Sequence, residues 1–205
     1  MPSELICGID EAGRGPLAGP VTAAAVILPH DFPVALLDDS KQLSARRRGE
    51  AYQKIIELAL DWAVGWATVE EIERLNILGA SLRAMERAFA GLMRAPALVV
   101  VDGIFAPSLW MNDAPVEAAT MPKADGLIPS VMAASILAKV SRDRFMDELD
   151  VLMPEYGFAA HKGYPTPQHR EAIERLGATR FHRKGFQLLA QSDSSLFDGL
   201  ELSED

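Results

Sequence analysis

Apolar residues along this chain occur in two patterns: short unbroken runs, and longer stretches with apolar positions three and four apart. Leu5 to Asp10 is expected to form a first strand and Val21 to Leu28 a second, with a turn over Pro29 to Pro33. Ser44 is placed to cap a helix reaching about Leu60, whose apolar face is Tyr52, Ile55, Ile56 and Ala59. Trp62 to Thr68 predicts a third strand, followed by helices over about Val69 to Leu75 and Leu78 to Met93. Ala97 to Val101 is wholly apolar and ends at Asp102-Gly103, the pattern of a buried parallel strand. Pro115 to Thr120 predicts a fifth strand. The longest helix is expected from near Ser130 to Leu152, with Ala134, Leu137, Ala138, Phe145, Leu149 and Leu152 at helical spacing. Thr166-Pro167 opens a last helix that Gly177 stops near Leu176. Hairpin-like strands first, then strands alternating with helices, imply an α/β chain with one mixed sheet flanked by helices.

Composition adds limits. The 205 residues are 49% hydrophobic and 24% charged, enough to bury a core in one domain with a modest appendage. The apolar runs fall short of the roughly 20 residues needed to cross a bilayer, and no secretory signal opens the chain. The single cysteine, Cys7, sits inside the first apolar run, consistent with a buried, inert thiol and a cytoplasmic location. A net charge of −9 argues against a nucleic-acid partner, but its distribution weakens the objection. The segment 193–205 holds five acids and no base, and is expected to be a disordered tail. Basic residues gather at Lys41 with Arg46 to Arg48, at Lys139, Arg142 and Arg144, and at Arg180, Arg183 and Lys184. Each group is equally readable as a solvated helix face.

The chemistry concentrates where strands stop. Asp10-Glu11 closes the first strand and opens a loop, Ala12-Gly13-Arg14-Gly15, whose backbone can approach a ligand closely. Asp102 ends the buried strand, and Asp125 follows in Lys123-Ala124-Asp125-Gly126. Functional groups collect at the carboxyl ends of strands in open α/β sheets. Should these ends adjoin, four carboxylates share one small volume and repel unless cations neutralise them. Oxygen ligands without a Cys/His cluster favour Mg²⁺ or Mn²⁺, a setting suited to phosphodiester attack with two ions. A turn or capping role remains the plain alternative for Asp102, and a loop acid for Asp125. Asp10 and Glu11, as neighbours on a strand, can serve one site only if the strand ends or twists there.

Gly8-Ile9-Asp10-Glu11-Ala12-Gly13-Arg14-Gly15 through Gly19-Pro20, Asp39-Ser40-Lys41, Val101-Asp102-Gly103 and Lys123-Ala124-Asp125 together resemble ribonuclease HII. The likeness extends in order through Ala133 to Val140, Arg142-Asp143 and His161-Lys162-Gly163-Tyr164, and ends near residue 186. It implies a ribonuclease H-like fold, a five-stranded mixed sheet flanked by helices with a C-terminal helical extension. The expected division is one catalytic domain over 1–192, its core ending about 153, followed by the acidic tail. The resemblance also implies an endonuclease that cuts RNA in RNA–DNA hybrids and incises 5′ to single ribonucleotides in duplex DNA, leaving a 3′-hydroxyl and a 5′-phosphate. Asp10, Glu11, Asp102 and Asp125 then map onto the family's catalytic, metal-binding acids, with two Mg²⁺ or Mn²⁺ ions as cofactors.

Gly13-Arg14-Gly15 matches the ribonucleotide-reading loop, and Tyr164 the tyrosine that stacks on the sugar of the following deoxynucleotide. Lys41 and Lys139 are candidate phosphate contacts, although Lys41 is equally a surface lysine and Lys139 a brace for the acids. His161 and Lys162 are weaker candidates for binding, and His30, His169 and His182 show no metal-ligand spacing. A monomer is expected, with no membrane partner. Clamp binding through the C-terminus is not expected, because Gln187 lacks the aromatic pair such a peptide needs. Rival readings are a DNA-directed nuclease of the same fold, a non-catalytic hybrid-binding module and a small-molecule phosphohydrolase.

Overall fold

Alternation along the first strand sends Cys7 and Ile9 to one face of a sheet and Gly8 and Asp10 to the other. The computed structural model describes residues 5–37 and 44–188, so Lys41, Asp39-Ser40 and the acidic tail lie outside the described residues. Strand β1 (Ile6–Ala12) pairs antiparallel with β2 (Val21–Ile27), which pairs antiparallel with β3 (Asp61–Ala67). On its other edge β1 pairs parallel with β4 (Leu98–Asp102). Beyond the short strands β5 (Leu109–Met111) and β6 (Ala114–Val116), β7 (Ala118–Met121) continues the parallel half, giving the order β3-β2-β1-β4-β7. This is the expected mixed sheet of five strands.

The expected fifth strand, Pro115 to Thr120, is divided. Its first residues belong to β6, which forms a separate hairpin with β5, and its last to β7 in the main sheet. The cause is the turn Asn112-Asp113, where both residues adopt positive φ (50° and 61°), the backbone of a two-residue hairpin loop.

Helices α1 (Ala45–Leu58) and α3 (Pro129–Leu152) cover one face, where Ala24 and Val26 of β2 meet Ile55, Ile136 and Leu137. Helix α2 (Val69–Ala90) covers the other, packing Ile72, Ala84 and Phe89 on Cys7, Ile9, Ala23 and Ala25. Both expected helices of this segment are present, joined through a break at Asn76 (φ 59°). There the Asn76 carboxamide accepts from the N–H groups of Leu78 and Gly79 and so caps the second half. Burial drives the Cys7 thiol up to about 12, so it stays protonated and unreactive, as its place in the apolar run implied. Short α4 (Phe158–His161) and α5 (Pro167–Leu176) form the C-terminal helical part, with Thr166 capping α5 and Gly177 (φ 81°) ending it. No described helix is long and apolar enough to cross a membrane.

Gly8 sets how close α3 comes to β1. A Cβ there would lie 2.2 Å from the main chain of Ser130 and Val131, which cannot yield. The bare strand lets α3 press against β1, bringing Ser135 alongside Asp10, where its side chain hydrogen-bonds the carboxylate.

Candidate active site

Register brings the first acids together. The last parallel pair of β1 and β4 is Ile9 with Val101, so Asp10 and Asp102 follow side by side at the strand ends, on the α3 face. β1 outruns this pairing to Ala12, still bonded to β2, and Glu11 lies on that overhang. Glu11 takes Arg14 Nη1 at 3.2 Å on Oε1, while its Oε2 is buried with no hydrogen-bond partner. The overhang answers how neighbours on one strand can share a site: beyond the end of β4, no neighbouring strand separates them.

Asp10 is almost wholly buried, and burial pushes its carboxyl well above the usual range, with the Glu11 and Asp102 charges adding to the rise. Glu11 is likewise raised by burial and by Asp102, against the pull of Arg14. Asp102 Oδ1 accepts from Ala124 N–H at 2.7 Å, which ties the β4 end to the 3₁₀ turn carrying Asp125. Asp125 is buried in that turn, next to the residue Asp102 holds. Among the described residues, no three acids or histidines stand in a ready-made metal-binding arrangement. The donor chemistry nonetheless fits a hard divalent cation: the crowded carboxyls of Asp10 and Glu11, which burial raises, and the buried Glu11 Oε2 without a proton donor.

Beside the acids opens a cleft of about 440 Å³. Its walls are Glu11 and the Ala12–Gly15 loop, Arg48 of α1, Ser135, Ile136 and Lys139 of α3, and Tyr164. Four sequence candidates, Gly13, Arg14, Gly15 and Tyr164, thus face one space with Lys139. Lys139 Nζ pairs with Asp143 at 2.7 Å and lies 5.5 Å from the Tyr164 ring. Asp10, Asp102 and Asp125 do not line the cleft. Lys162 turns away to Asp147 and to Ala159 O, and His161 is buried behind the Tyr164 segment.

Reading the basic groups as solvated faces missed what two arginines do. Arg142 and Arg183 are wholly buried, and every hydrogen bond described for either ends on a main-chain carbonyl. Arg183 grips Gly13 O at 2.7 Å and Arg14 O at 3.0 Å, with Gly19 O beside them. A trans peptide points its C=O and N–H in opposite directions. Held from beneath by these carbonyls, the loop turns the N–H groups of Arg14 and Gly15 the other way, away from Arg183. Neither N–H has a protein acceptor among the described residues. Arg142 grips Pro20 O, Ala18 O and Lys162 O, joining the loop to the Tyr164 segment. Nothing local in the sequence marks this role, because the partners of each arginine lie more than a hundred residues away, Lys162 excepted. Arg144 stacks on Tyr52 at 4.2 Å, while Arg46, Arg47, Arg180 and Lys184 remain exposed, as a solvated face requires.

Behind Tyr164, three imidazoles are buried together: His161, His169 and His182. Burial lowers all three, His169 and His182 to about 4, with the neighbouring imidazoles adding to the fall at His169; Asp150 and Lys162 face His161 with opposite signs. A histidine near 6.5 when unfolded and near 4 when folded binds its proton first in the unfolded chain. Stability is therefore complete above pH 6.5 and falls as the pH drops toward 4, by roughly 3 kcal/mol per histidine. Urea melts between pH 7 and 4.5 should show this slope, and His169→Asn should flatten it; equal slopes in both proteins would contradict the buried neutral state.

Comparison with known proteins bears on this geometry. The ribonuclease HII family model matches residues 7–189. Among solved structures, the ribonuclease H2 of Pyrococcus horikoshii OT3 is 27% identical, with a TM-score of 0.74 over 90% of this chain and 94% of that one. A ribonuclease HII of Archaeoglobus fulgidus, solved in complex with PCNA, is 25% identical, with a TM-score of 0.71 over 93% and 99%. Bst ribonuclease HIII in complex with Mn²⁺ shares the fold, at 22% identity and a TM-score of 0.73 over 91% and 68%.

Proposed function

This chain belongs to the ribonuclease HII family, and from that premise we propose that it also incises duplex DNA 5′ to single embedded ribonucleotides. Family membership makes it a ribonuclease H-type endonuclease, acting on RNA in RNA–DNA hybrids. The proposed products carry a 3′-hydroxyl and a 5′-phosphate, and the cellular task is removal of ribonucleotides from DNA. One observation carries this reading: the N–H groups of Arg14 and Gly15, turned away from Arg183, belong to a loop that faces Tyr164 across the cleft. A 2′-hydroxyl is both donor and acceptor, and free N–H groups on a fixed loop can separate ribose from deoxyribose.

Asp10, Glu11, Asp102 and Asp125 would hold two divalent cations, Mg²⁺ or Mn²⁺. When bound, such ions supply Lewis-acid stabilisation of the attacking and leaving oxygens. The buried Asp10, steadied by Ser135 and by Glu11 N–H at 2.7 Å, fixes the position of the donor set. Arg14, Arg48 and Lys139 offer positive charge to phosphates along the cleft. Tyr164, 39% exposed, presents its ring to the sugar following the ribonucleotide, where a 2′-hydroxyl would pack poorly. The enzyme works as a monomer on this reading.

Cleavage of a labelled duplex with one ribonucleotide tests the proposal against an all-DNA duplex and an EDTA control. One metal-dependent cut 5′ to the ribonucleotide is expected. Cleavage of long hybrids with the single-ribonucleotide duplex left intact would overturn it.

A further inference from the structure

We propose that His182 and His169 form a relay of fixed tautomers that positions Tyr164 through its main-chain carbonyl, a role that rests on the sugar contact assigned to Tyr164 above. The hydrogen-bond partners leave each ring one neutral form. His182 Nδ1 receives the Thr179 N–H at 2.9 Å, with the Thr179 hydroxyl also 2.9 Å away, so it must be the lone-pair nitrogen. The His182 proton therefore sits on Nε2, which faces His169 Nε2 at 3.2 Å. His169 Nε2 must accept it, which places the His169 proton on Nδ1, 2.9 Å from Tyr164 O. The chain of donation runs from Thr179 through two rings to the residue that walls the cleft.

The surroundings hold this direction. His161 stacks on His169 at 4.3 Å and 17°, so the His169 ring cannot swing aside without breaking the stack. His161 is fixed in its turn, accepting Gly163 N–H on Nδ1 and donating from Nε2 to Tyr156 O at 2.8 Å. Tyr164 O also accepts from Thr166 N–H at 2.8 Å, and Lys162 O is held by Arg142. The main chain from Lys162 to Thr166 is thereby anchored on its inner side, leaving the Tyr164 ring as the part that faces the cleft. A proton added to either His169 or His182 would set two N–H groups against each other, so the relay works only with neutral rings. A purely apolar plug of the same size would fill the space without fixing where the Tyr164 carbonyl points.

Two measurements test the relay. Side-chain ¹⁵N NMR of the wild-type protein at pH 7 should show His182 protonated at Nε2 and His169 at Nδ1; His169 protonated at Nε2, or a charged ring at either position, would overturn it. The second measurement is the junction preference: the single-turnover rate on one ribonucleotide followed by deoxyribonucleotides, divided by the rate on a run of ribonucleotides. Tyr164→Ala is compared first, and an unchanged ratio would remove the sugar contact itself and the relay's purpose with it. With a ratio that depends on Tyr164, His169→Leu should lower it about tenfold, the loss of one directed hydrogen bond. His169→Asn, whose Nδ2 can stand where Nδ1 stood, should retain the ratio. A wild-type ratio in His169→Leu, with the Tyr164 dependence intact, would overturn the relay alone. His182→Asn keeps an acceptor for Thr179 N–H and severs only the ring-to-ring step, so it serves should His169→Leu fail to fold.

Discussion

Asp10→Asn is expected to abolish cleavage while raising the melting temperature of the metal-free protein. The two effects share one cause. Asp10 sits buried beside Glu11 and Asp102, and its carboxyl is held well above the usual range. A group whose folded pKa is raised contributes stability below its unfolded pKa, and that contribution is lost as pH rises through the folded value. Above the ordinary carboxylate pKa the wild-type protein therefore bears a cost, of burying the charge or of holding a proton, that Asn does not carry. The Asn carboxamide oxygen can still accept from Glu11 N–H, as Asp10 Oδ1 does at 2.7 Å. A gain of about 1 kcal/mol would appear as roughly 2–4 °C for a chain of this size. Cleavage suffers because a missing carboxylate weakens cation binding where charge develops; about 4 kcal/mol corresponds to roughly a thousandfold in rate. Melts in EDTA and in Mg²⁺ would check both halves, since ligand binding stabilises only the folded state. Wild type should gain from Mg²⁺ and the variant should not. A variant that melts lower in EDTA, or still cuts, would contradict the assignment of Asp10.

Much of this arrangement is legible in the sequence because its causes are local. Ser44 and Thr166 cap the helices they precede, each accepting from the N–H three residues on. Of the expected run Ala97 to Val101, Val99 to Val101 are buried between β1 and β7 in a parallel strand while Ala97 and Leu98 stay exposed, and the acids stand toward the ends of β1 and β4. The strand-end position of Asp10 and Asp102 follows from the chain itself; their adjacency needed the register Ile9 with Val101. What the sequence hides is long-range. Arg142 and Arg183 look like surface bases until the carbonyls of Gly13, Gly19 and Pro20 surround them. Ser135 is one small residue in an alanine-rich helix until Gly8 allows α3 to press against β1. The histidines carry no spacing signal because they pair with main-chain groups and with each other. The hairpin turn at Asn112-Asp113 is local, and its two left-handed residues are a signal that alternation alone does not weigh.

Substitutions at the two loop glycines should part in kind, although both lie in one motif. At Gly13, φ is 97°, and a Cβ would fall 2.2 Å from Arg142 Nε and 2.9 Å from Pro20 O. The Arg142 side chain cannot give way, because three carbonyls hold its guanidinium. Gly13→Ala combines backbone strain with overpacking, together about 3 kcal/mol or more, and the melting temperature should drop by roughly 10 °C. Gly15 is free of both problems: the nearest atom to its Cβ is Tyr164 Cε1 at 3.8 Å. Gly15→Ala should therefore fold and melt as wild type. Its methyl group, however, stands between the loop and Tyr164, in the gap where the ribose would enter. Displacing a sugar by even an ångström can cost about a hundredfold in rate, so cleavage at an embedded ribonucleotide should fall steeply in Gly15→Ala while its stability is kept. Parallel melts and cleavage assays separate the two. Wild-type cleavage by Gly15→Ala would mean that the sugar does not pass between this loop and Tyr164, and the loop would then serve only to close the strand.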